Sequence, residues 1–452
     1  MEIPTTKQRN PYIKYFIAYG LFCLGSSLIG GAYNNFFPIL LQTGNPNFAG
    51  GAGELGFGLS AFPTSIIMSI DNVFAVTLAL LIGIWGDRTP RRRGYSVLFG
   101  IVGALAFCLL PLVILTNRTA ASGDTRALMP QLILTILLVV VFVFLHNGGS
   151  QLRLGYSYNI MPRNHQSMMF AVAMVFEGVG FLAFTFLGSV LYAKSRVLPF
   201  LLGGLMTVVF LILFWFLSPP ETKKNQQLAA EAASGEKRSF NPFRQLADTY
   251  KLIPANARFA ILMTLIAYCL ANIGVYALET FASSFMLDVL NIPPNQSIIV
   301  IGVYYVGYLL AAIPTGAIAR KVSRKLLMLI GVIAMGIGAV LTLLMGKNIP
   351  TLAAFCLIIG LGQSIVNVVA VPYIMSHAPE DGTHTGTLNS SVSTLRLLVS
   401  IVSVPLVGAL IDMSGSYNSI FIIMIVACVL ALIPVFLLIR KVKDEPLPNQ
   451  AV

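Results

Sequence analysis

The chain has 452 residues, of which 56% are hydrophobic and only 10% carry a charged side chain. Soluble proteins carry about 25% charged residues, so this composition excludes a soluble globular protein and predicts a membrane protein. The 29 Lys and Arg residues outnumber the 17 Asp and Glu residues, which gives a net charge of +12.

Long apolar segments recur along the whole chain. About 20 apolar residues span the hydrocarbon layer as a helix, and a helix satisfies its own backbone hydrogen bonds there. We therefore predict an all-α membrane protein with twelve transmembrane helices. They cover residues 12–42, 57–86, 95–116, 130–154, 168–192, 197–217, 259–288, 297–320, 326–346, 351–375, 385–411 and 417–439.

The positions of the basic residues predict the topology. If both termini are cytoplasmic, the segments on that side hold 22 of the 29 Lys and Arg residues, and the opposite loops hold five. This bias follows the positive-inside rule, so we expect cytoplasmic N- and C-termini. The basic residues are scattered beside helix ends, which argues against nucleic acid as a partner. The short loops favour a multi-pass protein of a bacterial cytoplasmic (plasma) membrane.

The longest polar stretch lies between helices 6 and 7. It covers residues 218–258 and contains no long apolar run. We predict an N-terminal six-helix bundle over residues 1–217, a cytoplasmic linker over 218–258, and a C-terminal six-helix bundle over 259–452.

The loop after helix 2 concentrates charge in the sequence GIWGDRTPRRR, and a related sequence, GAIARKVSRK, follows helix 8 at an offset of 233 residues. The matching positions are Gly83 and Gly316, Asp87 and Arg320, Arg88 and Lys321, Arg91 and Arg324, and Arg92 and Lys325. The repetition indicates that the two halves are related units.

These sequences resemble the loop motif G-x-x-x-D-[RK]-x-G-[RK]-[RK] of the major facilitator superfamily, and the resemblance extends over the whole chain. It implies alternating access to a central site, with the motif acting as a gate. Pro90 replaces the motif glycine and Arg320 replaces the acid in the second copy, so only the first copy is expected to form the acid-centred latch. A simpler interpretation is that the arginines only hold the loop in the cytoplasm.

Two segments resemble a narrower branch, the sucrose:proton symporter-like and glycoside–pentoside–hexuronide:cation symporters. Asp71 and Asn72 form a D-N pair in helix 2, and NIMPRNHQS after helix 4 is similar to that branch's L-M-P-D segment, with Arg163 in place of the acid. The resemblance implies a sugar or glycoside as substrate, moved together with H⁺ or Na⁺. No other cofactor is implied.

Asp71, Glu177 and Arg396 lie near the middle of predicted helices, and Glu279 lies closer to the outer end of helix 7. A charge inside the membrane costs at least about 2.5–3.5 kcal/mol and usually marks a pathway. We predict cation-coupling roles for Asp71, Glu177 and Glu279, and substrate binding for Arg396. Glu177 and Arg396 could instead form a structural ion pair between the halves. Glu279 could instead reach the outer headgroups.

Two further charged residues are predicted to have no functional role. Arg153, near the end of helix 4, is expected to extend toward the cytoplasmic surface. Asp412, at the outer end of helix 11, is expected to be solvated.

Uncharged polar residues complete the candidate site, because amides can hydrogen-bond the hydroxyl groups of a sugar and aromatic rings can cover its apolar face. The predicted substrate-binding residues, besides Arg396, are Asn34, Asn35, Asn72, Asn147, Gln151, Tyr304, Gln363 and Asn367. For any single amide, an interhelical hydrogen bond is an equally simple explanation.

The sequence contains no P-loop, no G-x-S-x-G and no H-E-x-x-H motif, and its four histidines form no ligand-spaced cluster. These absences argue against an ATP-driven pump, an enzyme and a metal site. We predict a monomeric secondary transporter for a small molecule, most simply a cation-coupled sugar symporter. The alternatives are a proton-coupled exporter of amphipathic compounds and a non-transporting membrane receptor.

Overall fold

The computed structural model describes residues 13–45, 56–87, 91–115, 129–160, 163–220, 251, 253–292, 294–319, 321–376 and 385–442. Over these residues the protein is all-α and forms twelve long helices. They are α1 (Ile13–Gln42), α2 (Ala61–Asp87), α3 (Arg92–Leu115), α4 (Met129–Ile160), α5 (Arg163–Lys194), α6 (Leu198–Leu217), α7 (Ala255–Leu290), α8 (Pro294–Ile318), α9 (Arg324–Met345), α10 (Ile349–Ser376), α11 (Thr385–Ser414) and α12 (Ser419–Lys441).

The helix boundaries agree with the sequence prediction to within about four residues, except at the end of α4 and the beginning of α5. The largest difference is at α4, which was predicted to end at residue 154 and continues to Ile160. Its last residues, GYSYNI, are more polar than the rest of the helix. Hydropathy marks only the part of a helix that lies in the hydrocarbon layer, so it misses such extensions.

Most of the helices are suited to span a membrane. Among the described residues, eleven helices are long and apolar enough to cross a bilayer, and α2 contributes a shorter apolar stretch, Ala61–Thr77. Large apolar side chains such as Phe216 and Val402 are exposed on the outside of the bundle. Such a surface is stable only in contact with lipid.

The two halves pack their helices in the same way. In the first half the closely packed pairs are α1–α5, α1–α6, α2–α4, α3–α4 and α3–α6. In the second half they are α7–α11, α7–α12, α8–α10, α9–α10 and α9–α12. Adding six to each number in the first set produces the second set. The chain therefore forms two six-helix bundles related by pseudo-twofold symmetry.

The contacts between the halves obey the same symmetry. They are α2–α11, α5–α8 and α1–α7, and exchanging the halves converts this set into itself. Helices 2 and 8 thus lie at the boundary between the bundles. Most of the predicted linker over 218–258 lies outside the described residues, so its boundaries stay a prediction.

Candidate functional site

The first polar cluster joins α1, α2 and α4 in the N-terminal bundle. Asn147 on α4 donates a hydrogen bond of 2.8 Å from Nδ2 to Oδ1 of Asp71 on α2. Tyr33 on α1 is close enough to interact electrostatically with Asp71, and its buried hydroxyl has no hydrogen-bond partner. Asp71 is half-buried, so this carboxylate faces protein and the space between helices.

The other predicted polar residues of this half are less tightly held. Gln151 lies one turn beyond Asn147 on α4, and Asn72 follows Asp71; both side chains are half-buried, as is that of Asn34. Asn35 is only 1% exposed, and its Nδ2 has no hydrogen-bond partner. Of the predicted amides in this half, the structure connects only Asn147 to Asp71.

The second polar cluster is larger and lies in the C-terminal bundle around Glu279 of α7. Tyr305 on α8 donates a hydrogen bond of 3.1 Å to Glu279 Oε1, and the hydroxyl of its neighbour Tyr304 lies 3.4 Å from the same oxygen. The Tyr304 hydroxyl also contacts Gln363 Oε1 on α10. Glu279 is half-buried and its carboxylate is held by two tyrosines of α8.

This cluster continues to a residue that the sequence analysis missed. Gln363 Nε2 donates to Oδ1 of Asn272 on α7 at 3.3 Å, and Asn272 Nδ2 donates to its own helix at the Tyr268 carbonyl. Asn272 lies seven residues before Glu279, which is two helical turns and therefore the same face. That spacing could have identified it. The structure places Tyr304 and Gln363 inside this network, where both are buried.

A third polar contact of the C-terminal bundle lies close by. Asn367 on α10 donates from Nδ2 to the hydroxyl of Tyr308 on α8 at 3.3 Å. Among the described residues, its buried amide oxygen, Oδ1, has no hydrogen-bond partner. This oxygen can therefore accept a further hydrogen bond.

Glu177 and Arg396 are contributed by different bundles. Glu177 lies at the middle of α5 and Arg396 in the first half of α11, and both side chains are exposed. Their charges are close enough to interact, although α5 and α11 are not a closely packed helix pair. A charged side chain that faces lipid is costly, so we expect the exposed surface of both residues to line the space between the bundles.

The surroundings of Arg396 in the C-terminal bundle are aromatic and polar. Arg396 interacts electrostatically with Tyr268, Tyr276 and Glu279. On the opposite side, the ring of Phe181 on α5 lies 4.2 Å from that of Tyr305, measured between centroids. An arginine, a carboxylate and several phenols thus surround one space at the boundary between the halves.

Arg153 does not extend to the surface, so its sequence-based prediction is wrong. The side chain is 1% exposed. Its guanidinium lies 2.9 Å from the ring centroid of Phe22 and donates to Ser150 Oγ at 3.1 Å. The aromatic residues of α1 and α6 enclose it, and a cation over aromatic rings is stabilised by their negative faces.

The loop motif is described only in part. Arg88 and Arg320 lie outside the described residues, Gly83 and Asp87 are described in their backbone, and Arg91, Arg92, Gly316, Lys321 and Arg324 are exposed or half-buried. Within the part of the chain that the structure describes, a methyl group added at Gly316 would meet no atom within 4 Å. The gating role of the motif stays a prediction.

Arg93, which directly follows the motif residues, contacts Trp215 of the same bundle. The guanidinium of Arg93 lies 4.2 Å from the ring centroid of Trp215 at the end of α6 and donates a hydrogen bond to the Trp215 carbonyl. This contact links the beginning of α3 to α6 within the same bundle.

Solved structures of several transporters share this fold. A mutant form of the nucleoside transporter NupG superposes with a TM-score of 0.69 at 11% identity, covering 95% of this chain and 100% of that chain. A bacterial homologue of the iron transporter ferroportin, in an inward-facing state, has a TM-score of 0.68 at 14% identity, covering 96% and 100%. A POT family transporter with a thioalcohol-conjugated peptide has a TM-score of 0.68 at 12% identity, covering 95% and 97%.

Sequence comparison identifies the family of the protein but no individual relative. No curated protein matches the chain significantly. In contrast, residues 15–293 and 264–451 each match the Major Facilitator Superfamily. Together these matches extend over almost the whole chain. The protein is a member of the major facilitator superfamily, with the fold of a transporter.

Proposed function

We propose that the protein is a cation-coupled symporter of a sugar or glycoside, driven by H⁺ or Na⁺ and working by alternating access. The observation that carries this proposal is the pair of exposed charges, Glu177 and Arg396, which come from different bundles and are close enough to interact electrostatically. A solute that contacts both side chains links the two halves. Its binding is therefore coupled to their relative movement.

Neutral polar groups that lack protein partners support a polyhydroxylated solute. Among the described residues, no hydrogen-bond partner is present for three buried polar groups, the Tyr276 hydroxyl, Asn35 Nδ2 and Asn367 Oδ1. They comprise both donors and acceptors, and a sugar hydroxyl can act as either. The rings of Phe181 and Tyr305 offer an apolar surface for the face of a sugar ring.

Asp71 is the first candidate for the coupling carboxylate, and Glu279 and Glu177 are the second candidates. Among the described residues, Asn147 provides the only hydrogen bond to the Asp71 carboxylate, whereas Glu279 has two tyrosine hydroxyls within 3.4 Å. A carboxylate with few protein donors keeps oxygen atoms free for a proton or a sodium ion. Asn34, Asn72 and Gln151 are candidates for neutral oxygen ligands or substrate contacts nearby.

The proposal includes a monomeric protein in a bacterial cytoplasmic membrane, with both termini in the cytoplasm and the loop motif as the cytoplasmic gate. A proton-coupled exporter of amphipathic compounds is the main alternative, because buried carboxylates serve antiport as well. A non-transporting receptor is the other alternative.

The direction of substrate-linked proton movement separates symport from antiport. Purified protein is reconstituted into liposomes that contain a trapped pH-sensitive dye, and a panel of sugars and glycosides is added outside. Symport with H⁺ predicts that a transported sugar acidifies the lumen, whereas antiport predicts alkalinisation. The same assay with a sodium gradient tests Na⁺ coupling. If neither radiolabelled sugars nor amphipathic cations enter or exchange in these liposomes, the transporter proposal is wrong.

A further inference from the structure

A carboxylate of the C-terminal bundle caps a helix of the N-terminal bundle. Asp412, near the end of α11, accepts hydrogen bonds from Ser60 Oγ at 2.6 Å, from the Ala61 backbone N–H at 2.9 Å and from the Phe62 backbone N–H at 3.0 Å. These residues begin α2, whose first N–H groups have no partner within the helix. We call this set of contacts the α2–α11 clasp. The expectation that Asp412 is merely solvated is therefore wrong.

The local backbone holds both sides of the clasp in position. After Asp412, α11 ends and Gly415 adopts a positive φ of 64°, a conformation that favours glycine at the end of a helix. On the other side, the segment that leads into α2 is bonded to the end of α1 through Gly58 N to Thr43 O (2.8 Å) and Leu59 N to Leu41 O (2.9 Å). The beginning of α2 is thus fixed before Asp412 caps it.

The halves are in close contact around the clasp. Ile39 and Ala61 belong to a buried hydrophobic cluster formed mainly by the C-terminal bundle. Ser284 on α7 donates to Gln42 Oε1 at the end of α1. A methyl group added at Gly408 of α11 would overlap Ser65 of α2. The protein is therefore closed at this end of the bundle.

We propose that Asp412 is a latch that holds this end of the transporter closed. The latch rests on the alternating access proposed above, because α2 and α11 belong to different bundles and must separate when this end opens. Separation breaks all three hydrogen bonds at once and leaves the first N–H groups of α2 to water. The negative charge also loses its favourable position at the positive end of the α2 dipole.

Cysteine labelling measures how often this end opens. Ser65 lies between α2 and α11 and is 0% exposed, so a cysteine at this position reacts only after the two helices separate. The reporter is Ser65→Cys in a variant whose native cysteines are replaced by alanine (Cys23, Cys108, Cys269, Cys356 and Cys428). The rate of reaction with a polyethylene glycol maleimide is measured in detergent, without substrate or gradient. Because the assay needs no transport, its result tests the latch even if the proposed transport activity is wrong.

The expected result is faster labelling when the cap is removed. Asp412→Asn and Asp412→Ala should raise the rate on the order of tenfold, the effect of losing a charged helix cap. Ser60→Ala should raise it less, because the two backbone bonds remain. Met413→Ala is the matched control, since Met413 is the next residue and is 83% exposed. Gel filtration identifies any variant that fails to fold.

Two outcomes would overturn the proposal. In the first, both Asp412 variants react at the parental rate. In the second, Met413→Ala accelerates labelling as much as they do, which would indicate general loosening. If Asp412→Ala does not fold, the labelling rates of Asp412→Asn, Ser60→Ala and Met413→Ala still test the latch proposal.

Discussion

The two bundles are alike in helix packing and different in polar chemistry. Each pairs its six helices in the same pattern, and in each a polar contact joins equivalent helices. In the N-terminal bundle this contact is the carboxylate–amide pair of Asp71 on α2 and Asn147 on α4. In the C-terminal bundle it is the contact between the Tyr304 hydroxyl on α8 and the Gln363 side-chain amide on α10. The same hydroxyl also lies 3.4 Å from Glu279 Oε1.

The difference suggests a division of labour between the bundles. Asp71 and Tyr304 are related by the same offset of 233 residues as the loop motifs, yet one can carry a charge and the other donates from a hydroxyl. A carboxylate with one donor suits a step in which an ion binds and leaves. A network with several donors and acceptors suits the rigid positioning of a solute.

The largest expected effect comes from removing the charge of Asp71, the carboxylate that pairs with Asn147 in the N-terminal bundle. Asp71→Asn should abolish gradient-driven accumulation and leave solute exchange intact, because the variant keeps the shape but cannot bind a proton. With one pH unit across the membrane, coupling to one proton supports about tenfold accumulation. Radiolabelled uptake and counterflow in proteoliposomes measure the two activities.

Two variants serve as comparisons for Asp71→Asn. Asp71→Glu keeps an ionisable group and should retain some accumulation, and Glu279→Gln should impair binding more than coupling. Full accumulation by Asp71→Asn would move the coupling role to Glu177 or Glu279 and remove the proposed division of labour.

The next largest effect concerns the charges of Glu177 and Arg396, which come from different bundles. Glu177→Gln and Arg396→Ala should each lower the initial uptake rate by more than about tenfold, equivalent to about 1.4 kcal/mol. If both charges contact the solute, the swapped variant, Glu177→Arg with Arg396→Glu, should remain inactive. Recovery of uptake in the swapped variant would instead identify a structural ion pair.

A smaller effect is expected from the close contact of α8 and α10. Gly360→Ala places a methyl group against the Tyr304 carbonyl, which forces the helices of the C-terminal network apart and should cost about 1–3 kcal/mol. Gly316→Ala on α8 is the matched control, because its surroundings are open. Thermal unfolding in detergent should show a lower midpoint for Gly360→Ala alone; equal midpoints would contradict this packing.

The smallest effect is expected from a single hydroxyl of the network. Tyr304→Phe removes the group between Glu279 and Gln363, and hydrogen bonds between membrane helices contribute about 1 kcal/mol each. Tyr308→Phe, which loses only the contact with Asn367, is the control. A larger loss of solute affinity for Tyr304→Phe, measured by isothermal titration calorimetry, would support positioning by the network; equal losses would argue against it.

The fold could be predicted from the sequence because lipid imposes simple rules on it. Apolar length fixed the number of helices, and the spacing of 233 residues identified the two related halves. The helix edges differ most at α4, where the helix continues past its apolar part to Ile160. Apolar length carries no information about such a polar extension.

The site was less predictable, because hydropathy and charge do not show which residues of different helices contact each other in the fold. The sequence identified Asp71, Asn147, Glu279 and Gln363 as polar residues in helices, but not the bonds between them. Arg153 and Asp412 were misjudged for the same reason: the rings around one and the helix terminus beside the other come from distant parts of the chain.

The matched pairing of helices has a consequence for how the protein can be assembled. Within the described residues, the bundles contact each other through α1, α2 and α5 on one side and α7, α8 and α11 on the other. The covalent connection between α6 and α7 contributes none of these helix contacts. Two separately translated polypeptides, one for each bundle, should therefore associate in the membrane into a complete transporter. The same property allows an ancestral gene for one bundle to have functioned as a dimer before duplication and fusion.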